Sequence, residues 1–487
     1  MSNKLLIVAL TALVALPGAA QGPQPAAHDT PQAAAHYTPQ AAAPDSPRGG
    51  AGPARMLWTA ADQKAALEAA RATVNYDEAA VGPYSLEDPL TFEDGRKLRR
   101  RRQWPQRRAE ILETFQREMF GRIPESCDIF VDTLEAGPSL AGLGRREQLR
   151  MWFRPDRTGP HVDWLIVRPA FAKAPVPAVM LLNYGGNHEV LFDEEILVPE
   201  SWMRNKQGRQ DNRASALTRG KYNRDGERYI YPAGMFIARG YALVTACYCD
   251  VSPDPDPGET DGDGIILQDS FAYSGVFDLW GRRDPSRTDN TTALGAWAWA
   301  LMRGMDMIEA HPGLDASRVV LTGCSRLGKA ALIAAAFDER FPMVAPVQTG
   351  GGGVPLAKRN FGETVGTETA AFRHWYCAAY DKYATDPAAL LHFDQHLLLS
   401  CVAPRALLVE GFDGRWFDTK GEFLALQAAS PVWKFLGVKG LPDVAWPEPY
   451  DTSAIGPLVG YVYRDQKHGI SPIDWEWMLD FADTLFK

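Results

Sequence analysis

Short apolar runs alternate with helical patterns through most of this chain, and this alternation constrains the fold more than any other feature. The strand-like runs are residues 164–167, 178–183, 242–248, 319–322, 344–349, 406–410 and 458–463. Helical patterns lie between several of them, at residues 293–310, 329–337 and 421–429. Such alternation predicts an α/β fold with a mainly parallel sheet covered on both faces, a three-layer α/β/α sandwich. Ligands of such a sheet gather at the carboxyl ends of its strands.

The stretch from Gly323 to Lys329 lies where the apolar run 319–321 meets an alanine-rich helical run. Ser325 sits on this predicted strand-to-helix turn, which is typical of a nucleophile elbow that exposes the hydroxyl above the sheet. The N-terminus of the following helix would face a developing oxyanion. Gly328 comes one residue later than in the usual G-x-S-x-G pattern, and an ordinary N-cap serine is the alternative interpretation. We favour a nucleophile.

A serine nucleophile requires a base, and the base requires a group that orients it. In α/β-hydrolases these residues follow in the chain order Ser, acid, His. His468 comes after the last strand-like run and before the final helical run, so it occupies the position of the base. Asp413 is the first carboxylate after the strand 406–410 and is our candidate acid. Asp418 is the second choice.

Composition and the N-terminal region indicate where the protein acts. The net charge of −9 argues against nucleic acid or an anionic membrane as the main partner. Lys4, a short apolar run and small residues predict a signal peptide over residues 1–20, so we expect a secreted or periplasmic protein. Residues 21–55 are rich in Ala, Pro and Gln and predict a disordered tether. Residues 56–487 predict a single domain with an N-terminal helical extension.

Two features suggest metal ligands at first sight. Cys247 and Cys249 alternate along a strand-like run, but two thiolates make a poor zinc site, and we expect buried free thiols. The acidic loop 250–264 contains Asp254 and Asp256, yet its prolines break the spacing of a calcium loop. We therefore expect a solvated loop there. The sequence predicts no metal and no organic cofactor.

Several motifs together give a specific resemblance. The stretch from Gly323 to Lys329 resembles the nucleophile motif of the glucuronoyl esterases, carbohydrate esterase family 15. Stretches that resemble the bacterial branch follow in the right order at residues 104, 107–108, 120–122, 183–188, 359–364, 374–375, 394–396, 420–423, 468 and 474–475. The resemblance covers roughly residues 75–487, and independent motifs in order are far more specific than one serine motif.

The resemblance implies an α/β-hydrolase fold, a serine triad, and a substrate ester between glucuronic acid on xylan and lignin alcohols. It assigns Ser325 as the nucleophile, His468 as the base and Arg326 as a contributor to the oxyanion hole.

It also implies a site for the uronate sugar. Lys329 and Glu363 match family positions that bind the sugar hydroxyls, and Trp416 matches one that lines the sugar site. Core packing is the alternative role of Trp416, although its polar loop argues against that role.

The chain departs from the family at the acid. Many members carry a Glu after the strand that follows the nucleophile helix, and Gln348 occupies that position here. A glutamine accepts a hydrogen bond from a His N–H but brings no charge to an imidazolium. A second acid position used by some bacterial members is Gly414, one residue after Asp413. Losing the carboxylate costs on the order of 10⁴ in rate, so the choice of acid matters greatly.

We thus expect an exported, monomeric serine esterase that works through an acyl-enzyme on Ser325, and the resemblance implies that it acts on glucuronoxylan or lignin–carbohydrate esters. Nucleic acid, and a membrane after signal cleavage, are not expected as partners. Two alternatives stay open. One is a serine esterase for another ester, such as acetylated xylan; the other is a carbohydrate-binding pseudoenzyme with a degraded triad.

Overall fold

The computed structural model describes residues 55–205, 211–224 and 226–487. The predicted signal peptide and all of the predicted tether except Arg55 lie outside the described residues. Arg55 itself is anchored, because its guanidinium lies 2.7 Å from Asp381 Oδ1 and donates to the carbonyl of Tyr376 at 3.0 Å. The folded part therefore includes residue 55, one residue earlier than the sequence indicates.

One sheet organises the described residues. Its strands are β1 (Phe130–Ser139), β2 (Gly144–Trp152), β3 (His161–Pro169), β4 (Val176–Asn183), β5 (Ala242–Cys247), β6 (Leu314–Cys324), β7 (Met343–Val347), β8 (Ala406–Phe412) and β9 (Val459–Arg464). Their spatial order is β1-β2-β3-β5-β4-β6-β7-β8-β9. All pairs from β5 to β9 are parallel, whereas β1, β2 and β3 pair antiparallel and β3 joins β5 antiparallel. The predicted mainly parallel sheet is confirmed.

Helices cover both faces of this sheet. They are α1 (Ala60–Ala72), α2 (Trp104–Phe115), α3 (Asn187–Val190), α4 (Ala233–Ala238), α5 (Tyr248–Val251), α6 (Ala293–Ala310), α7 (Arg326–Phe337), α8 (Val365–Ala371), α9 (Pro387–Leu390), α10 (Gln395–Ser400), α11 (Thr419–Ala429), α12 (Pro431–Leu436) and α13 (Pro472–Phe486). None of the helices within the described ranges combines the length and the apolar character needed to cross a membrane.

The alternation of side chains along the strands produces the three layers. Met180 of β4 and Leu321 of β6 join the hydrophobic cluster that contains the apolar residues of α6 and α7. Val179 and Val320, their neighbours in the chain, join a second cluster that contains those of α4 and α13. Helix α6 is apolar around almost its whole circumference and nearly all of it is buried, as expected for a helix packed on several sides.

Two predicted details differ from the structure. The run 242–248 ends as a strand at Cys247, because Tyr248 begins α5, so Cys247 and Cys249 do not alternate along one strand. Both are buried free thiols, as expected. Strands β1 and β2 do not stand out in the sequence, because β1 is largely exposed and β2 carries charged side chains.

Parallel strands bring their carboxyl ends to the same edge of the sheet. The loops that leave β4, β6, β7, β8 and β9 begin at residues 184, 325, 348, 413 and 465. Every residue that the sequence assigned to the triad lies in or just after one of these loops.

Candidate active site

Ser325 occupies the sharp turn between β6 and α7. Its backbone has φ 59° and ψ −130°, a conformation that costs a non-glycine residue about 1–3 kcal/mol. The turn is held because the Ser325 N–H donates to the Val347 carbonyl at 2.9 Å. The N–H groups of Gly328 and Lys329 donate to the Ser325 carbonyl at 2.9 and 3.1 Å. The strained turn is the geometry predicted for a nucleophile elbow.

The late second glycine of the motif has a steric reason. A Cβ on Gly328 would lie 2.6 Å from the carbonyl oxygen of Gly323, and a Cβ on Gly323 would lie 2.3 Å from the carbonyl oxygen of Leu327. The strand and the helix therefore approach each other too closely for any side chain at these two positions. Gly328 is the glycine on the helix side of this contact, and for that reason the second glycine of the motif stands at residue 328.

Helix α7 begins directly after Ser325. The first backbone N–H groups of a helix, here those of Arg326 and Leu327, have no acceptor within the helix and carry its positive end. The residue before Ser325 is also fixed, because the Tyr184 hydroxyl donates to the Cys324 carbonyl at 2.6 Å. This arrangement offers backbone donors beside the serine.

His468 is oriented by Gln348. Its Nδ1 lies 3.0 Å from Gln348 Oε1, and the Gly469 N–H donates to the same oxygen at 2.9 Å. A backbone N–H is always a donor, so the amide atom that faces both groups is the oxygen. Nδ1 must then carry the proton, which leaves Nε2 of the neutral ring as an acceptor.

A buried ion pair braces the loop that carries His468. Arg464 pairs with Asp474 at 2.9 Å and donates to the carbonyls of Lys467 and Gly469, each at 2.9 Å. Both charged side chains are almost fully buried. Because these bonds hold the backbone on either side of His468, they fix the loop from which the ring projects, while Gln348 orients the ring itself.

The pKa of His468 is lowered to about 3. Burial is the largest cause, followed by the positive charges of Arg228, Arg326, Arg464 and Lys329. All of these effects disfavour the imidazolium, and Gln348 brings no negative charge to oppose them.

Several contacts bring His468 and Ser325 to the same place. Val347, whose carbonyl accepts the Ser325 N–H, directly precedes Gln348. Tyr229 packs edge-on against the His468 ring, with ring centroids 6.3 Å apart, and also contacts Tyr184, which holds the Cys324 carbonyl. The ends of the neighbouring strands β6 and β7 thus connect the two residues: Ser325 contacts Val347, and the next residue, Gln348, contacts His468.

The structure does not bring Asp413 to His468. The Asp413 N–H donates to the Arg464 carbonyl at 2.6 Å and so continues the pairing of β8 with β9. Successive side chains of a strand point to opposite faces. The Phe412 ring packs 5.4 Å from the His468 ring, whereas Asp413 is exposed and its charge acts on Tyr463. The prediction that Asp413 orients His468 is wrong in this respect, and Gln348 takes its place.

Asp418, the second choice for the acid, is also engaged elsewhere. It is buried, it binds Arg359 with Nε and Oδ2 2.8 Å apart, and it accepts the Gly421 N–H at the start of α11 at 3.0 Å. These contacts indicate a structural role.

A further carboxyl belongs to Glu410, whose backbone contacts Gln348. The Gln348 N–H donates to the backbone carbonyl of Glu410 at 2.7 Å. The Glu410 side chain is fully buried, and neither carboxyl oxygen has a hydrogen-bond partner among the described residues. Burial, and then the negative charge of Asp474, raise the pKa of Glu410 well above its usual value. Both effects favour the neutral form of Glu410, and its side chain makes no hydrogen bond to His468.

The residues predicted to bind the sugar do lie together. Lys329 Nζ is 3.8 Å from Glu363 Oε2, which also accepts the Gly351 N–H at 3.0 Å. The Glu363 N–H donates to the Trp416 carbonyl at 2.7 Å, and the Trp416 side chain is half-buried. Since Lys329 is one helical turn after Ser325, this cluster adjoins the serine.

Glu368 also belongs to this cluster, although no sequence pattern pointed to it. Its Oε1 lies 2.6 Å from Lys329 Nζ and accepts the Tyr376 hydroxyl at 2.5 Å. Burial raises the pKa of Glu368 to about 7, although the charge of Lys329 opposes the shift. Lys329 therefore has a partner before any substrate binds.

Arg326 also has a partner that the sequence did not predict. Its Nη1 lies 2.5 Å from Asp254 Oδ2, and its guanidinium lies 4.5 Å from the centre of the Trp375 ring. Asp254 is 0% exposed, so the expectation of a solvated loop is wrong at this residue. Its burial could not be predicted from a stretch of prolines and acidic residues.

Comparison with known proteins places these observations in a family. The family model described as "Glucuronyl esterase, fungi" matches residues 274–437. Carbohydrate esterase MZ0003, from an unknown prokaryotic organism, is 35% identical over 416 residues, which are 84% of this chain and 91% of that protein. A 4-O-methyl-glucuronoyl methylesterase of Schizophyllum commune is 31% identical over 291 residues, 52% of this chain and 72% of that protein.

A solved structure agrees with these relatives. The glucuronoyl esterase from Solibacter usitatus superposes with a TM-score of 0.75 at 31% identity, over 84% of this chain and all of that chain. The similarity therefore extends over most of the chain and not only over the serine motif. On these grounds the chain belongs to carbohydrate esterase family 15, the glucuronoyl esterases.

Proposed function

We propose that this protein is an exported serine esterase that hydrolyses esters of glucuronic acid, including 4-O-methyl-glucuronic acid, as they occur between glucuronoxylan and lignin. The observation that carries the proposal is the strained turn at Ser325 beside a His468 whose protonated nitrogen is fixed. The adjoining cluster of Lys329 and Glu363 supports a polar, hydroxyl-rich acyl group. We expect the enzyme to act as a monomer.

Acylation follows from the tautomer of His468. Nε2 accepts the Ser325 proton as the hydroxyl oxygen attacks the ester carbonyl. The negative charge that forms on the carbonyl oxygen meets the backbone N–H groups at the start of α7 and the guanidinium of Arg326. His468 then gives the proton to the departing alcohol, and the uronyl group remains as an ester on Ser325.

Deacylation repeats these steps with water. Nε2 of His468 takes a proton from water, the hydroxide oxygen attacks the acyl-enzyme, and Ser325 leaves with the proton. The imidazolium that forms in each step is stabilised by the carbonyl dipole of Gln348 and not by a full charge, so we expect the enzyme to be slower than a relative with a carboxylate.

Recognition of the uronate supports the choice of substrate. Lys329 and Glu363 present a donor and an acceptor next to the nucleophile, and Trp416 offers a partly exposed ring. An acetyl group has no hydroxyls that would use these side chains. The comparison of turnover on methyl glucuronate and on an acetyl ester of the same alcohol tests this point. A higher kcat/KM for the acetyl ester would contradict the proposal.

Gln348 favours a second candidate, a carbohydrate-binding pseudoenzyme, because it leaves the triad without a charged acid. A fluorophosphonate probe separates the two, since only an activated serine is labelled. We expect labelling of the wild-type protein at Ser325 and none of Ser325→Ala, with equal melting temperatures. No labelling of the wild-type protein, with retained affinity for glucuronoxylan, would establish the pseudoenzyme.

A further inference from the structure

Asp254 is a fully buried carboxylate, and both of its oxygens accept hydrogen bonds from side chains outside the catalytic triad. Oδ1 accepts the His374 Nε2–H at 2.9 Å and the Trp375 Nε1–H at 3.0 Å. Oδ2 pairs with Arg326 at 2.5 Å and accepts the Tyr248 hydroxyl at 3.1 Å. A buried charge needs such saturation, because unpaired it would cost several kcal/mol.

A second arginine completes the pairing. Arg204 Nη2 lies 2.6 Å from Asp254 Oδ2, and Arg204 Nη1 lies 3.0 Å from Asp256 Oδ1. The negative charge of Asp254 alone would disfavour an oxyanion near Ser325. Arg204 also neutralises part of that negative charge, so the electrostatic field around Arg326 still favours the oxyanion.

The orientation of Arg326 is fixed on two further sides. Its guanidinium lies 4.5 Å from the Trp375 ring centre and 5.2 Å from that of Phe372, and these two rings stack with centroids 3.8 Å apart. Its Nε is buried and has no hydrogen-bond partner within the part of the chain that the structure describes. Asp254 therefore holds Nη1 of the guanidinium, whereas Nε has no partner among these residues.

We propose that Asp254 is the positioning residue that aims Arg326 at the oxyanion formed on Ser325, with His374 and Trp375 fixing the carboxylate from its other oxygen. This inference rests on the proposed function, because it requires Arg326 to contact the oxyanion. A guanidinium on a long, flexible side chain gains little in a transition state unless it is oriented in advance.

Asp254→Asn keeps the shape and removes the charge. We expect kcat for methyl glucuronate to fall roughly tenfold to a hundredfold with KM nearly unchanged, less than the 10²–10³ that loss of an oxyanion donor itself costs. The matched control is Asp256→Asn, on the same loop and paired with the same Arg204, which should leave kcat unchanged. Unchanged kcat in Asp254→Asn would overturn the proposal.

A double-mutant cycle separates positioning from general support of the fold. In an Arg326→Ala background, Asp254→Asn should cause no further loss of kcat, because there is no guanidinium left to orient. An equal additional loss in both backgrounds would overturn the proposal. If Asp254→Asn does not fold, Tyr248→Phe replaces it, because this variant removes one hydrogen bond to Oδ2. The same cycle with Arg326→Ala then tests whether the loss of kcat depends on Arg326.

The single variants also separate this inference from the proposed function. Loss of turnover in Ser325→Ala with full turnover in Arg326→Ala would leave the esterase in place and overturn the role of Arg326 and this inference together. Reduced turnover in Arg326→Ala with wild-type turnover in Asp254→Asn would overturn this inference alone. Turnover that survives in Ser325→Ala would overturn the proposed function and the inference that rests on it.

Discussion

Gln348 and His468 share one hydrogen bond, 3.0 Å long, in which the amide oxygen accepts the proton of Nδ1. The same oxygen accepts the Gly469 N–H, so the amide cannot rotate to present its NH₂ group without losing that bond. A neutral residue thus performs the orienting part of an acid's task. The part that it cannot perform is to stabilise the imidazolium by charge.

Gln348→Glu should therefore raise kcat. In serine proteases, replacing the triad carboxylate by an amide costs about 10⁴ in kcat because the histidine takes the wrong tautomer. Here the tautomer is already correct, so only the missing charge remains to be gained, and we expect a rise of roughly one to two orders of magnitude. Steady-state kinetics on methyl glucuronate measures it. An unchanged kcat in a folded variant would show that charge at this position is irrelevant.

Asp413→Asn should be nearly silent. The side chain is exposed and points away from His468, so we expect kcat within about twofold of wild type. Gln348→Ala is the contrasting variant and should lower kcat roughly 10²–10³-fold, because Nδ1 loses its acceptor. A large loss in Asp413→Asn would mean that the loop after β8 moves to His468 when substrate binds.

The pH dependence of kcat/KM should report the low pKa of His468. The base acts only when neutral, so activity should persist as the pH falls past 6.5, the ordinary value, and be lost as the pH passes through about 3. Circular dichroism at each pH would separate this loss from unfolding. In Gln348→Glu the added carboxylate favours the imidazolium and should move the acid limb to higher pH. An acid limb near the ordinary value in the wild type would contradict the prediction.

Lys329→Ala should damage turnover of a glucuronate ester far more than that of an acetyl ester, by roughly tenfold or more, because only the sugar offers hydroxyls to this side chain. It should also lower the melting temperature, since Glu368 loses its cation in a buried site. The double variant with Glu368→Gln should recover the melting temperature but not the preference for the uronate. Equal losses on both esters would show that Lys329 only supports the structure.

Truncation should show where the folded part begins. A chain that starts at Arg55 should melt like the full-length chain. A chain that starts at Thr59 should melt at a lower temperature, because it lacks the contacts of Arg55 with Asp381 and of Trp58 with Asp269 and Arg373. Equal melting temperatures for the two truncated chains would show that this segment contributes nothing.

The parts of the site that local patterns determine could be predicted from the sequence. Ser325 follows an apolar run and precedes an alanine-rich helix, and the structure has a strained turn there. His468 follows the last strand and lies at the same edge of the sheet. In both cases the residue is placed by the strand that precedes it in the chain.

The parts that depend on contacts between distant segments could not be predicted. Asp413 and Gln348 both follow strands at the correct edge, and only the pairing of residue 413 with β9 decides which side chain faces His468. Asp254 looks like a solvated residue in a proline-rich stretch until Arg204 and Arg326 are seen to enclose it. The periodicity of one segment carries no information about such partners.

The large separation along the chain between the residues of the site also has a consequence for folding kinetics. The residues around Ser325 come from segments that are more than 200 positions apart, from Asp254 and Tyr184 to His468 near the C-terminus. Contacts of such high sequence separation form late, because the chain entropy of closing long loops must be lost first. His468 follows the edge strand β9, so a chain in which β9 has not docked lacks its base. Recovery of esterase activity during refolding would therefore time the docking of the last strand.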